Sequence, residues 1–155
     1  MRWGCCLVEG DGPINLGGMK NNIETENRVY DYIKGNGLIA EGERILVGFS
    51  GGADSTALLF VLKSLGGGLG ADIVAVHIEH GIRGDESERD MDFCISLCKR
   101  LDVTIKVFRE EVPEYAKSRG LGLEEAAREL RYRDFATAAK EFGASKIAVA
   151  HHGDD

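Results

Sequence analysis

Apolar residues gather along this chain in four short runs, each bounded by glycine, polar or charged positions. Ile45-Leu46-Val47-Gly48-Phe49, Asp72-Ile73-Val74-Ala75-Val76-His77-Ile78, Thr104-Ile105-Lys106-Val107-Phe108 and Lys146-Ile147-Ala148-Val149-Ala150 read as strands. The spacing between them changes to that of helices. Ile23, Val29, Tyr30 and Ile33 predict an amphipathic helix over 23–33, stopped by Gly35-Asn36-Gly37. Further helices are predicted over 54–65, 86–101, 113–118 and 123–142. Gly66-Gly67-Gly68-Leu69-Gly70 reads as a loop, and Asp85 with Glu88 reads as a capping box.

Strands that alternate with helices imply right-handed βαβ crossovers. The expected fold is therefore α/β, a doubly wound, mainly parallel sheet with helices on both faces. Ligands of such sheets bind beyond the carboxyl ends of the strands. Three polar clusters stand at such ends: Ser50–Ser55, His77–Arg83 and His151–Asp155. Far apart in sequence, they are expected to meet at one edge.

The first cluster, Ser50-Gly51-Gly52-Ala53-Asp54-Ser55, joins a strand to a helix. Glycines let backbone N–H groups turn toward one point, and the helix N-terminus adds its positive dipole end. Ser50, Ser55 and Thr56 add hydroxyl donors. No Gly-Lys-Ser/Thr follows, so this is not the Walker A loop. The plain alternative is a strand–helix turn in which Asp54 or Ser55 caps the helix.

In the second cluster, His77 and Glu79 share one face of an extended segment, with Ile78 and His80 opposite. His77, Glu79 and His80 could be read as zinc ligands, or as a polar strand end, and Arg83 could hold a phosphate or carboxylate. Glu124, Arg128 and Arg131 lie at i, i+4 and i+7 of one helix. They form either a solvated charge stripe or an arginine-bearing face toward the strand ends. Asp154 and Asp155 could coordinate Mg²⁺ or hold an ammonium group, or simply be a polar chain end.

Composition narrows the class without changing the fold. Of 155 residues, 43% are hydrophobic and 29% charged, as in globular proteins. No apolar stretch approaches the ~20 residues that span a bilayer, and the N-terminus lacks a secretory h-region. A net charge of -7 argues against coating nucleic acid through bulk positive charge, while leaving room for a local basic face. There is no Cys-x-x-Cys, and Cys94 and Cys98 sit among Phe93, Ile95, Leu97 and Leu101 as packing residues. A reducing, cytoplasmic setting is expected. Residues 1–18 are Gly-rich and weakly periodic and read as a flexible extension preceding a domain over 19–155.

Ser-Gly-Gly-Ala-Asp-Ser after a strand resembles the pyrophosphate-binding loop of the N-type ATP pyrophosphatases. Together with His-Ile-Glu-His-Gly-Ile-Arg-Gly, Glu-Glu-Ala-Ala-Arg-Glu-Leu-Arg-Tyr and Ala-His-His-Gly-Asp-Asp, it resembles the N-terminal catalytic domain of the tRNA(Ile)-lysidine synthetase family from about Ile23 onward. The resemblance implies an adenine nucleotide alpha hydrolase-like, Rossmann-like fold. It implies a ligase that uses ATP and Mg²⁺ to adenylate the wobble cytidine of isoleucine tRNA, after which free L-lysine displaces AMP.

It also implies that Ser50, Gly51, Gly52, Ala53, Asp54 and Ser55 bind the nucleotide. Asp54, Asp154 and Asp155 would be metal ligands, and these three with Arg83, Arg128 and Arg131 would act in catalysis. Glu79 stands where the family has Asn or Asp, Ala53 where related loops have Pro or Lys, and Gly153 where Arg is common. The family continues past the Asp-Asp pair, so the domain is expected to be incomplete at its C-terminus. A tRNA sulfur-transfer enzyme of the same superfamily and an ATP-binding module without catalysis are the rival expectations. The oligomeric state is left open, a homodimer included.

Overall fold

A computed structural model describes residues 5–6, 19–81 and 85–150. The elements run β1 (Cys5–Cys6), α1 (Met19–Gly35), β2 (Arg44–Gly48), α2 (Ala53–Leu69), β3 (Asp72–Glu79), α3 (Asp85–Arg100), β4 (Thr104–Arg109), α4 (Val112–Arg119), α5 (Leu123–Phe142) and β5 (Lys146–Val149). Each of the four predicted strands and five predicted helices is present.

The strands form one parallel sheet in the order β1-β5-β2-β3-β4. Its outermost member on one side is the two-residue β1, which pairs Cys5 with Ile147 and Cys6 with Ala148. Chain order runs outward from β2 to β4 and then returns to the other side of β2 through β5. That reversal opens a crevice beyond β2 and β5, where ligands of doubly wound sheets bind.

Strand alternation divides the core into two layers. Ile45, Val47, Phe49, Ile73 and Ala75 pack with Leu59, Leu62, Cys94, Leu97 and Cys98, joining β2 and β3 to α2 and α3 on one face. Ile33, with Val29 and Tyr30, brings α1 against this same layer. Leu46, Val74 and Val76 pack with Phe135, Ala138 and Ala139 of α5 on the other face. Val112, Ala116, Ala126 and Leu130 then tie α4 to α5. Among the described residues no helix is long and apolar enough to cross a membrane.

One expectation changes. Gly66–Leu69 are not a loop: α2 continues through them and ends at Gly70, whose φ of 66° suits only glycine well. A side chain on Gly66 would stand 3.1 Å from the Ala71 carbonyl and 3.4 Å from Ile73, so this glycine lets the helix lie close to β3. Glu88 of α3 is tied to β4. Its carboxylate accepts both guanidinium N–H groups of Arg109, at 2.9 and 3.2 Å.

Candidate nucleotide site

A cleft of about 160 Å³ opens beyond the carboxyl ends of β2, β3 and β5. Its apolar floor is made by Gly48, Val76, Ile78, Phe135 and Val149, and its polar rim by Ser50, Ser55, His80 and Arg131. Gly48 makes the floor possible. It pairs with Val76 on one side and Val149 on the other, and an added Cβ would stand 2.9 Å from Val149 and 3.0 Å from the Phe135 ring.

The loop after β2 is folded around Gly51 and Gly52. Gly51 has φ 87°, a conformation that disfavours any side chain, and a Cβ there would lie 3.2 Å from Cys94 Sγ. The N-cap of α2 is Gly52, not Asp54 or Ser55, and no side chain caps the helix. The N-cap residue offers no side chain to close the start of the helix, where the positive dipole end favours an anion.

The two loop serines form a closed circuit. Gly52 N–H donates to Ser50 Oγ (3.4 Å), the Ser50 and Ser55 hydroxyls lie 2.9 Å apart, and Ser55 Oγ donates to the Gly52 carbonyl (3.1 Å). Either serine hydroxyl can donate to the other. Thr56 Oγ1 also donates to the Gly52 carbonyl, at 2.8 Å.

Beneath the loop, His77 is buried and its Nδ1 lies 2.8 Å from the Phe49 carbonyl. Glu79 accepts the Gly81 N–H at 2.7 Å. Each group of the suggested zinc trio is thus used locally or apart, and no three His, Cys, Asp or Glu gather as a metal site among the described residues. His80 borders the cleft with its Nδ1 buried and unpartnered. Burial, and then the Arg131 cation, hold its pKa below the ordinary histidine range, favouring the neutral ring.

The charged row on α5 splits. Arg131 lines the cleft, whereas Arg128 is exposed and lies over the Tyr132 ring at 5.7 Å, and Glu124 is exposed. One turn on, the sequence signal missed Asp134, which is 1% exposed. Its Oδ1 accepts from Arg133 Nε and from the terminal guanidinium, which also meets Glu110 at 2.6 Å. Burial raises the Asp134 pKa and the Glu110 carboxylate raises it further, against the pull of Arg133. Cys94 and Cys98 are free and buried, their thiols pushed up to about 12 and about 11 by burial. Arg83, Asp154 and Asp155 lie outside the described residues, as does the rest of His151–Asp155.

A family profile described as a PP-loop domain matches residues 19–155. The tRNA(Ile)-lysidine synthase of Geobacillus kaustophilus is 40% identical over 129 residues, 83% of this chain and 28% of that protein. That of Porphyromonas gingivalis is 44% identical over 134 residues, 86% of this chain and 29% of that protein. The chain therefore spans less than a third of the curated relatives it matches. Among solved structures, the U34-tRNA thiolase NcsA from Methanococcus maripaludis, with its 4Fe-4S cluster, superposes with a TM-score of 0.72 at 17% identity. The match covers 88% of this chain and 48% of that one, a likeness of fold alone.

Proposed function

The chain belongs to the PP-loop domain family, and from that premise we propose that it is the nucleotide-binding part of a tRNA(Ile)-lysidine synthase. The observation that carries this reading is the uncapped start of α2 at Gly52, with Ser50 and Ser55 on the rim of a cleft shared with Arg131. Relatives bearing that name, at about 40% identity over most of this chain, support the choice of reaction.

In the proposed reaction, the C2 oxygen of the wobble cytidine attacks the α-phosphorus of ATP. The bond to the β-phosphate breaks and pyrophosphate leaves. The amine of free L-lysine then attacks C2 and displaces AMP. Ser50, Gly51, Gly52, Ala53, Asp54 and Ser55 would cradle the departing pyrophosphate. Arg131 would offset negative charge at the transferring group, with Arg83 and Arg128 as further candidates. The apolar floor would take the base, and the chain would act mainly through positioning and electrostatics.

Mg²⁺ fits a site of this kind. With no three-ligand cluster among the described residues, such a cation would be held by phosphate oxygens and one or two carboxylates, as Mg²⁺ commonly is. Asp54 would supply one and Asp154 or Asp155 the other, and Mg²⁺ would neutralise phosphate charge. Asp154 or Asp155 could instead orient the lysine amine.

The test is pyrophosphate release with ATP, lysine and isoleucine tRNA carrying the wobble cytidine. It is run on this chain and on a version extended to the length of its relatives. The expected result is AMP formation that requires both tRNA and lysine in the extended protein. Modification of a different base, or sulfur incorporation, would overturn the reading. ATP binding without pyrophosphate release in the extended protein would mark a binding module.

A further inference from the structure

We infer that His77 is a positioning residue for the Ser50–Ser55 loop, acting through the carbonyl of Phe49. The inference rests on reading that loop as a phosphate site, and adds the group that fixes its shape. His77 does not border the cleft. It lies on the opposite face of β3 from Val76 and Ile78, the face that carries Ile73 and Ala75 into the α2–α3 layer.

The residue is 4% exposed, and its Nδ1 is 2.8 Å from the Phe49 carbonyl oxygen. A carbonyl can only accept, so Nδ1 carries the proton. The same oxygen receives the Cys94 thiol at 3.8 Å. Phe49 N–H donates to the Val76 carbonyl at 2.8 Å. Both polar groups of Phe49 are therefore held, one by the backbone of β3 and the other by side chains of β3 and α3.

The position in the ladder matters more than the bond alone. Gly48 pairs with Val76, so Phe49 stands opposite His77. The next rung of a parallel ladder would deliver the Ile78 amide to the Phe49 carbonyl. The imidazole takes that oxygen instead, at the residue where the chain leaves the sheet. Two residues later Gly51 turns to φ 87° over Cys94 Sγ. His77 and Cys94 thus fix the direction from which the glycines and serines approach the cleft. A leucine could fill the same space but could not pin the carbonyl.

The comparison that isolates the pin is His77→Leu against His77→Asn, because an asparagine amide reaches nearly where Nδ1 sits. Two readouts are taken. One is hydrogen–deuterium exchange over residues 49–56 without ligand. The other is calorimetric affinity for Mg-ATP and for inorganic pyrophosphate. H77L is expected to speed exchange in the loop, leave α5 and β4 unchanged, and weaken both ligands roughly three- to tenfold, as loss of one hydrogen bond would.

H77N is expected to stay near wild type in both readouts. If H77L does not fold, His77→Gln, whose amide reaches the Nε2 position, takes its place with the same expectation. Wild-type loop exchange and affinity in H77L, or equal loss in H77N, would overturn the inference. If the wild-type chain binds neither ATP nor pyrophosphate, the phosphate reading fails, and loop exchange still decides the role of His77.

Discussion

Ser50 and Ser55, five residues apart, hold their hydroxyl oxygens 2.9 Å from each other and close a circuit that begins and ends on Gly52. Removing either hydroxyl opens the whole circuit. S50A and S55A are each expected to cost about 1 kcal/mol in stability. The double variant should cost clearly less than the sum, because the second removal has little left to break. Urea denaturation of the four proteins measures this. Additive losses would show that the serines act separately.

Gly51 is a second fixed point of the loop. At φ 87°, with Cys94 Sγ 3.2 Å from a would-be Cβ, Gly51→Ala meets both backbone strain and a neighbour that must shift. The expected loss is about 1–3 kcal/mol, with weaker ATP binding than wild type. Chemical denaturation and calorimetry check the two effects. Wild-type values in both would mean that the loop adapts freely.

The two arginines of the α5 row should behave differently. Arg131 lines the cleft, whereas Arg128 is exposed over Tyr132. On the proposed reaction, R131A should lower pyrophosphate release by about 100-fold, the size associated with losing one preorganised charge-stabilising group. R128A should fall far less, unless Arg128 reaches the RNA. Repeating the R128A measurement with excess ATP and varied tRNA separates those cases.

Asp134 makes stability depend on pH in a defined direction. Its native pKa is raised above the ordinary 3.8, first by burial and also by Glu110, so the folded chain keeps the proton longer than the unfolded chain. The resulting stability is complete below 3.8 and is lost as pH rises through the native value. Asp134→Asn cannot titrate, so it should flatten this part of the profile and gain on wild type toward neutral pH. Thermal midpoints from acid to neutral pH test this. An unchanged slope in D134N would assign the dependence to other groups.

The alternation of apolar runs made the doubly wound sheet legible, and the predicted 123–142 helix coincides with α5. Gly66–Gly68 misled because a glycine run normally breaks a helix. Here the close approach of Gly66 to Ala71 and Ile73 outweighs that preference, and such a contact is invisible to composition. Spacing put Glu124, Arg128 and Arg131 in one row but could not say which part of it meets the strand ends.

The strand pattern put His77 and Glu79 on one face but left open whether His77 was a ligand or a polar strand end, and its burial came only with the fold. Its partner, Phe49, lies 28 residues away and only the fold identifies it. Asp134, one helical turn from both Leu130 and Ala138, was a signal of its own: a charged residue interrupting an apolar row.

The place of β5 in the sheet bears on how the cleft comes into being. Its hydrogen-bonding neighbour β2 lies about a hundred residues earlier, as the Ile45–Lys146 pairing shows. β2, β3 and β4 follow one another in sequence with a single helix between neighbours, whereas β5 must close a much longer loop. Val149 and Ala150 belong to one wall of the cleft. During synthesis the turn at Gly51 and Gly52 is made before that wall, so the two sides of the cleft meet only once β5 has closed its long loop onto β2.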